Sequence, residues 1–124
     1  MSTARPAKPR LLIVEDEVMI RVFMRDVFEN AGFKAREAAN ADEALELLKA
    51  EEFAAVVSDI LMPGTMTGLD LARVIDSKWP RTGIVLVSGR GVPSLARMPA
   101  KARFIAKPCH VDVLLQTVRE VLDK

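Results

Sequence analysis

Four apolar runs in this chain end in groups that could share one site. "VVSDILMPG" places Asp59 at the end of a strand-like stretch, and "LLIVEDE" carries Leu11 to Val14 into Glu15, Asp16 and Glu17. "IVLVSG" ends in the hydroxyl of Ser88, and "RFIAKP" ends in Lys107 ahead of Pro108. A single carboxylate at a strand end needs only water. Several carboxylates gathered at one sheet rim repel one another unless a cation joins them, and a hard divalent ion prefers such oxygens. A lysine supplies a point charge and a serine a short, movable donor. The constellation is therefore two or three acids, one hydroxyl and one lysine, provided that all four runs end on the same side of one sheet.

The intervening segments supply that sheet. Continuous apolar runs suit strands covered on both faces by helices. After Glu17, "VMIRVFMRDVFENAG" sets Ile20, Phe23, Met24, Val27 and Ala31 on one helical stripe, and Gly32 ends it. Residues 33–38 read as an edge strand, since Lys34, Arg36 and Glu37 suit an edge better than a centre. Asn40 and Glu43 form a capping-box-like start to a second helix with Ala41, Ala44, Leu45 and Leu48 inward. Thr67 and Asp70 do the same for a third helix, which ends near Trp79 at Pro80. "GRGVPSLARMPAKA" allows only a short or irregular fourth helix between Pro93 and Pro99. Val111, Leu114, Leu115, Val118, Val121 and Leu122 define the last helix. Strand and helix thus alternate five times, which predicts right-handed crossovers, a mainly parallel sheet, and a site beyond the carboxyl ends of its strands.

Composition narrows the function classes. The chain has 124 residues, half of them hydrophobic, and 18 basic against 17 acidic side chains for a net charge of +1. No overall field or basic stripe favours nucleic acid. Cys109 is the one cysteine, which excludes an intrachain disulfide and suits a reducing, cytoplasmic setting. The apolar run after the basic N-terminus is too short for a signal peptide, and no stretch reaches the roughly 18 apolar residues of a membrane span. The expected layout is a loose arm over residues 1–9 and one domain over 10–124, with no DNA-binding output module after the last helix.

Together, "VEDE", "SDILMPG", "LVSG" and "FIAKP" resemble the receiver domain of two-component response regulators. The resemblance covers about residues 10–123. It implies the doubly wound (βα)5, flavodoxin-like fold with strand order 2-1-3-4-5. It also implies that Asp59 is the phosphoacceptor, Glu15 and Asp16 the acidic pair at a magnesium ion, Ser88 the hydroxyl position, Lys107 the phosphate-pairing lysine and Phe104 the aromatic switch. Pro108 matches the proline of the family's Lys-Pro step, often cis. In this reading Asp16, Asp59 and the Leu61 backbone carbonyl hold Mg2+ directly, and Glu15 acts through a water.

Each residue alone has a plainer reading. Glu15 to Glu17 could be only the acidic first turn of a helix, Ser88 a satisfied strand end, Lys107 a solvated lysine and Phe104 a core aromatic. Jointly those readings must explain why complementary groups end successive strands. His110 lacks a ligand partner and reads as a surface or capping residue, and Cys109 as a bystander. The chain departs from the family pattern in three places: "PGTMTG" is one residue longer than the usual turn, the span from Ser88 to Lys107 is about three residues shorter, and serine replaces the commoner threonine. The expected function is a stand-alone response regulator that takes a phosphoryl group from a histidine kinase or phosphotransfer protein and signals by protein contact, with slow self-dephosphorylation. The alternative is a magnesium-dependent phosphohydrolase with an aspartyl-phosphate intermediate, but no second acid or base follows Asp59, where Leu61 and Arg90 stand.

Overall fold

A computed structural model describes residues 8–62, 64, 66–89 and 98–122. Five strands, β1 (Arg10–Val14), β2 (Lys34–Ala38), β3 (Ala55–Asp59), β4 (Gly83–Ser88) and β5 (Arg103–Ala106), form one sheet in the order β2-β1-β3-β4-β5. All four pairings are parallel. Four helices are described: α1 (Val18–Asn30), α2 (Ala41–Ala50), α3 (Gly68–Lys78) and α4 (Val111–Leu122). This is the doubly wound architecture that the alternation predicts. The short fourth helix expected between β4 and β5 falls mainly on residues 90–97, outside the described residues, and so do Pro63, Thr65 and Pro93 of the two unusual loops.

The two faces of the sheet make two core layers because successive strand side chains point oppositely. Leu12, Val14, Val56, Ile84 and Leu86 meet Ala44 and Leu48 of α2 and Leu71 and Ile75 of α3. Leu11, Ile13, Val57, Val85 and Val87 meet Met24 and Phe28 of α1 and Leu114, Val118 and Val121 of α4. Covering by helices on both faces is what the unbroken apolar runs require. Strand β2 lies at an edge, with alternating exposure that accommodates its charges.

Local details correct three expectations. In α1, Phe28 is fully buried and Phe23 is exposed, so the inward stripe follows the four-residue step from Ile20 through Met24 to Phe28. The Asn40 side chain accepts from the Glu43 amide, but Glu43 reaches back to the amide of Ala39 instead of closing the box on Asn40. Val111 of the last helical stripe is partly exposed. The Thr67–Asp70 capping box is reciprocal, with Thr67 Oγ1 accepting from the Asp70 amide and Asp70 Oδ2 from the Thr67 amide.

Candidate phosphoacceptor and metal site

Because every strand runs the same way, all five carboxyl ends open on one edge. The register sets Val14 beside Ser58, Asp59 beside Val87 and Ser88 beside Ala106. Glu15, Asp59, Ser88 and Lys107 are therefore brought together by pairing alone. Lys107 is the central group: its Nζ lies 2.9 Å from Asp59 Oδ2 and 3.3 Å from Glu15 Oε1. The Glu15 side chain is 1% exposed, that of Asp59 11% and that of Lys107 28%. The ammonium thus reaches inward to screen two carboxylates while keeping some contact with water.

Both Glu15 oxygens are occupied. Oε1 receives Lys107, and Oε2 accepts from the Glu17 backbone N–H at 3.1 Å. Burial nevertheless pushes the Glu15 carboxyl above the usual carboxylate range, assisted by the Asp59 charge and opposed by the Glu17 amide and Lys107. Lys107 moves the opposite way relative to its burial. Desolvation alone would lower it, but the hydrogen bond to Asp59 and the charges of Glu15 and Asp59 hold it above the ordinary lysine value.

Asp16 is exposed at the mouth, and one carboxylate oxygen each from Glu15, Asp16 and Asp59 can lie within 4.8 Å of one another. Three hard oxygens so close suit a divalent cation, which would relieve their mutual repulsion. Leu61 is exposed, and its backbone N–H donates to Asp59 Oδ1 at 3.2 Å. Ser88 is buried at the end of β4, and its carbonyl accepts from the Lys107 amide at 2.8 Å. Phe104 is half-buried and packs against the layer formed with α2 and α3. The Lys107–Pro108 peptide bond is cis. Cys109 is partly buried, and His110 accepts from the Leu114 amide through its backbone carbonyl at the start of α4.

Gly68 also belongs to the site, although no motif in the sequence marks it. Its N–H donates to the Ile60 carbonyl, and a Cβ built there would sit 1.9 Å from the Asp59 carbonyl oxygen. Only glycine lets α3 start against the backbone of the strand end that carries Asp59. The local signal was available as a glycine directly after the Thr67 cap, but only the tertiary approach gives it meaning.

Fold and edge together define a doubly wound α/β domain with the acidic cluster of a receiver's phosphoacceptor site. The chain belongs to the response regulator receiver domain family, whose model matches residues 11–119. Receivers are signalling domains and not enzymes of the ordinary kind. The chain is 37% identical over 121 residues to the C4-dicarboxylate transport transcriptional regulatory protein DctD of Rhizobium meliloti, covering 95% of this chain but 26% of that protein. It is 30% identical over 116 residues to the response regulator receiver protein CpdR of Brucella abortus, covering 91% of this chain and 96% of that one. Among solved structures it resembles response regulator TrrA of Thermotoga maritima in complex with Mg(2+)-BeF, with a TM-score of 0.81, 27% identity, and 92% and 99% of the two chains covered. Among the described residues no helix is long and apolar enough to cross a membrane.

Proposed function

We propose that residues 10–124 form a cytoplasmic receiver that accepts a phosphoryl group on Asp59 from a histidine kinase or phosphotransfer protein and passes on its state by protein contact. The observation that carries this reading is the ammonium of Lys107 seated between Asp59 and the buried Glu15, with Asp16 completing a carboxylate cluster. Three oxygen donors of this kind fit Mg2+. Asp16, Asp59 and the Leu61 carbonyl would hold it, with the buried Glu15 acting through a water. When bound, the ion supplies positive charge to the transferring oxygens.

The chain's own residues account for the rest of the step. The Leu61 amide and Lys107 fix the Asp59 carboxylate from two sides. An Asp59 oxygen attacks phosphorus, the P–N bond to the donor imidazole breaks, and its electron pair returns to the ring nitrogen. Lys107 then turns from carboxylate to phosphoryl oxygens, and the Ser88 hydroxyl donates to another. Movement of Ser88 leaves space beside β5 into which the half-buried Phe104 ring turns. That ring has no hydroxyl to leave unsatisfied. Leu61, two residues beyond Asp59, is apolar and cannot activate water, which supports slow self-dephosphorylation over turnover as a phosphohydrolase.

Incubation of the intact chain with a small phosphoramidate donor and Mg2+ is expected to add one phosphate by mass, and Asp59→Asn to add none. Asp16→Ala is expected to abolish phosphorylation and Mg2+ binding with the fold retained. Equal modification of Asp59→Asn, or many turnovers per minute on small phosphate esters, would overturn the assignment.

A further inference from the structure

The turn between β1 and α1 carries two of the three clustered carboxylates, yet α1 starts with no side-chain cap at Glu17 and no acid in its first turn. Something else must hold the turn. The Glu15 amide donates to the Ala38 carbonyl of β2 at 3.0 Å, and the Glu15 side chain takes the Glu17 amide. The Glu15 carbonyl is held by a residue from one turn into α1: Arg21 Nη1 donates to it at 2.8 Å. Glu15 is buried, so this carbonyl needs a protein donor.

The same guanidinium binds a second partner. Arg21 Nε donates to Glu37 Oε1 at 3.0 Å, and Arg25, one turn further along α1, pairs with the other Glu37 oxygen. Glu37 on β2 therefore balances the charge of Arg21. Lys107 spends its charge on the site's carboxylates, whereas Arg21 bonds a neutral carbonyl and leaves the site's negative charge available to a cation. A rigid fork with several N–H donors can serve a carboxylate and a carbonyl together, which a lysine ammonium cannot do with the same fixed geometry.

We propose that Arg21 is a positioning residue for the divalent-ion site: by clamping the Glu15 carbonyl against α1 and β2 it sets the turn from which Glu15 and Asp16 present their oxygens. This rests on the reading of the cluster as a Mg2+ site. Partners that orient metal ligands from behind are commonly worth about 10–100-fold in affinity.

The test is a Mg2+ titration of the full chain, followed by backbone amide shifts, for the unmodified protein, Arg21→Met, Arg21→Lys and Arg25→Met, together with amide hydrogen exchange without metal. Arg21→Met is expected to weaken Mg2+ about tenfold and to speed exchange at the Glu15 and Glu17 amides, which the hydrogen bonds of the turn protect. Arg21→Lys is expected to recover only part of each. Arg25→Met loses an ion pair to Glu37 but keeps both contacts of Arg21, so its Mg2+ affinity stays that of the unmodified chain even where its stability falls. Arg21 as a mere staple between α1 and β2 would make affinity indifferent to both arginines. Unchanged affinity and exchange in Arg21→Met overturns the inference, as does equal weakening by Arg25→Met. Should Arg21→Met fail to fold, Arg21→Lys with unmodified affinity and exchange overturns it equally. Absence of Mg2+-dependent shifts at residues 15–17 and 59–61 of the unmodified chain would instead remove the metal reading, and the role of Arg21 with it.

Discussion

The sheet carries ion pairs toward both of its edges, and they differ in burial far more than in distance. Away from the site, Glu51 in the connection before β3 accepts Arg10 at 3.2 Å and Arg36 at 3.3 Å, with the arginine side chains 46% and 53% exposed. At the carboxyl edge Lys107 meets Glu15 and Asp59 at similar lengths, but Glu15 is inaccessible. Water and salt screen the first group, so such pairs contribute only about 0–1 kcal/mol. In the second, desolvation makes every charge depend on its neighbours, and one added or removed charge rearranges the others. A site that responds to a phosphoryl group of roughly −2 charge needs that second condition.

Gly68→Ala forces a methyl against the Asp59 backbone at 1.9 Å, so the strand end or α3 must move. Overpacking ordinarily costs about 1–3 kcal/mol, and contact with backbone puts this case at about 3 kcal/mol. Chemical denaturation should show that loss together with loss of phosphoryl acceptance.

Lys107→Met removes the screening cation while leaving the carboxylates. Breaking a fully buried pair costs about 3–5 kcal/mol, and the partial exposure of Lys107 reduces the expected loss to about 1–2 kcal/mol in metal-free protein. The pH dependence gives its sign. The folded-state value of Lys107 is raised, so its contribution is fully present below the ordinary value of 10.5 and is lost as pH rises through the folded value. Glu15 is also raised, so its own contribution is present below 4.5 and is lost as pH rises through its folded value. Denaturation midpoints of the unmodified chain and Lys107→Met, both in chelator, should therefore stay apart at neutral pH and converge in strong alkali, where Lys107 loses its charge.

Glu51→Gln sharpens the contrast from the other side. It removes the charge from both exposed pairs, and the expected loss is below about 1 kcal/mol, vanishing in high salt. A loss comparable to that of Lys107→Met would mean that burial does not separate the two regions.

The groups at the carboxyl edge were legible because each ends an apolar run too continuous for a half-exposed strand. Asp59, Glu15, Ser88 and Lys107 follow from that pattern once the sheet is parallel. Choices between neighbouring helical positions were less legible: Phe23 and Phe28 both fit a broad stripe in α1, and only docking on the sheet selected Phe28. Gly68 and Arg21 were not legible as parts of the site. The role of Gly68 depends on a backbone approach from β3, and that of Arg21 on a reach of six residues back to Glu15, which no periodicity records.

Asp59, the partly buried carboxylate 2.9 Å from Lys107, is the proposed acyl phosphate position, and its exposed neighbour Asp16 is not. Borohydride reduces an aspartyl phosphate to homoserine, which peptide mass analysis can place on the chain. After treatment with phosphodonor and Mg2+, homoserine is expected at position 59 alone. Homoserine at position 16, or recovery of the unreduced peptide containing Asp59 from protein shown to carry an acyl phosphate, would contradict the account.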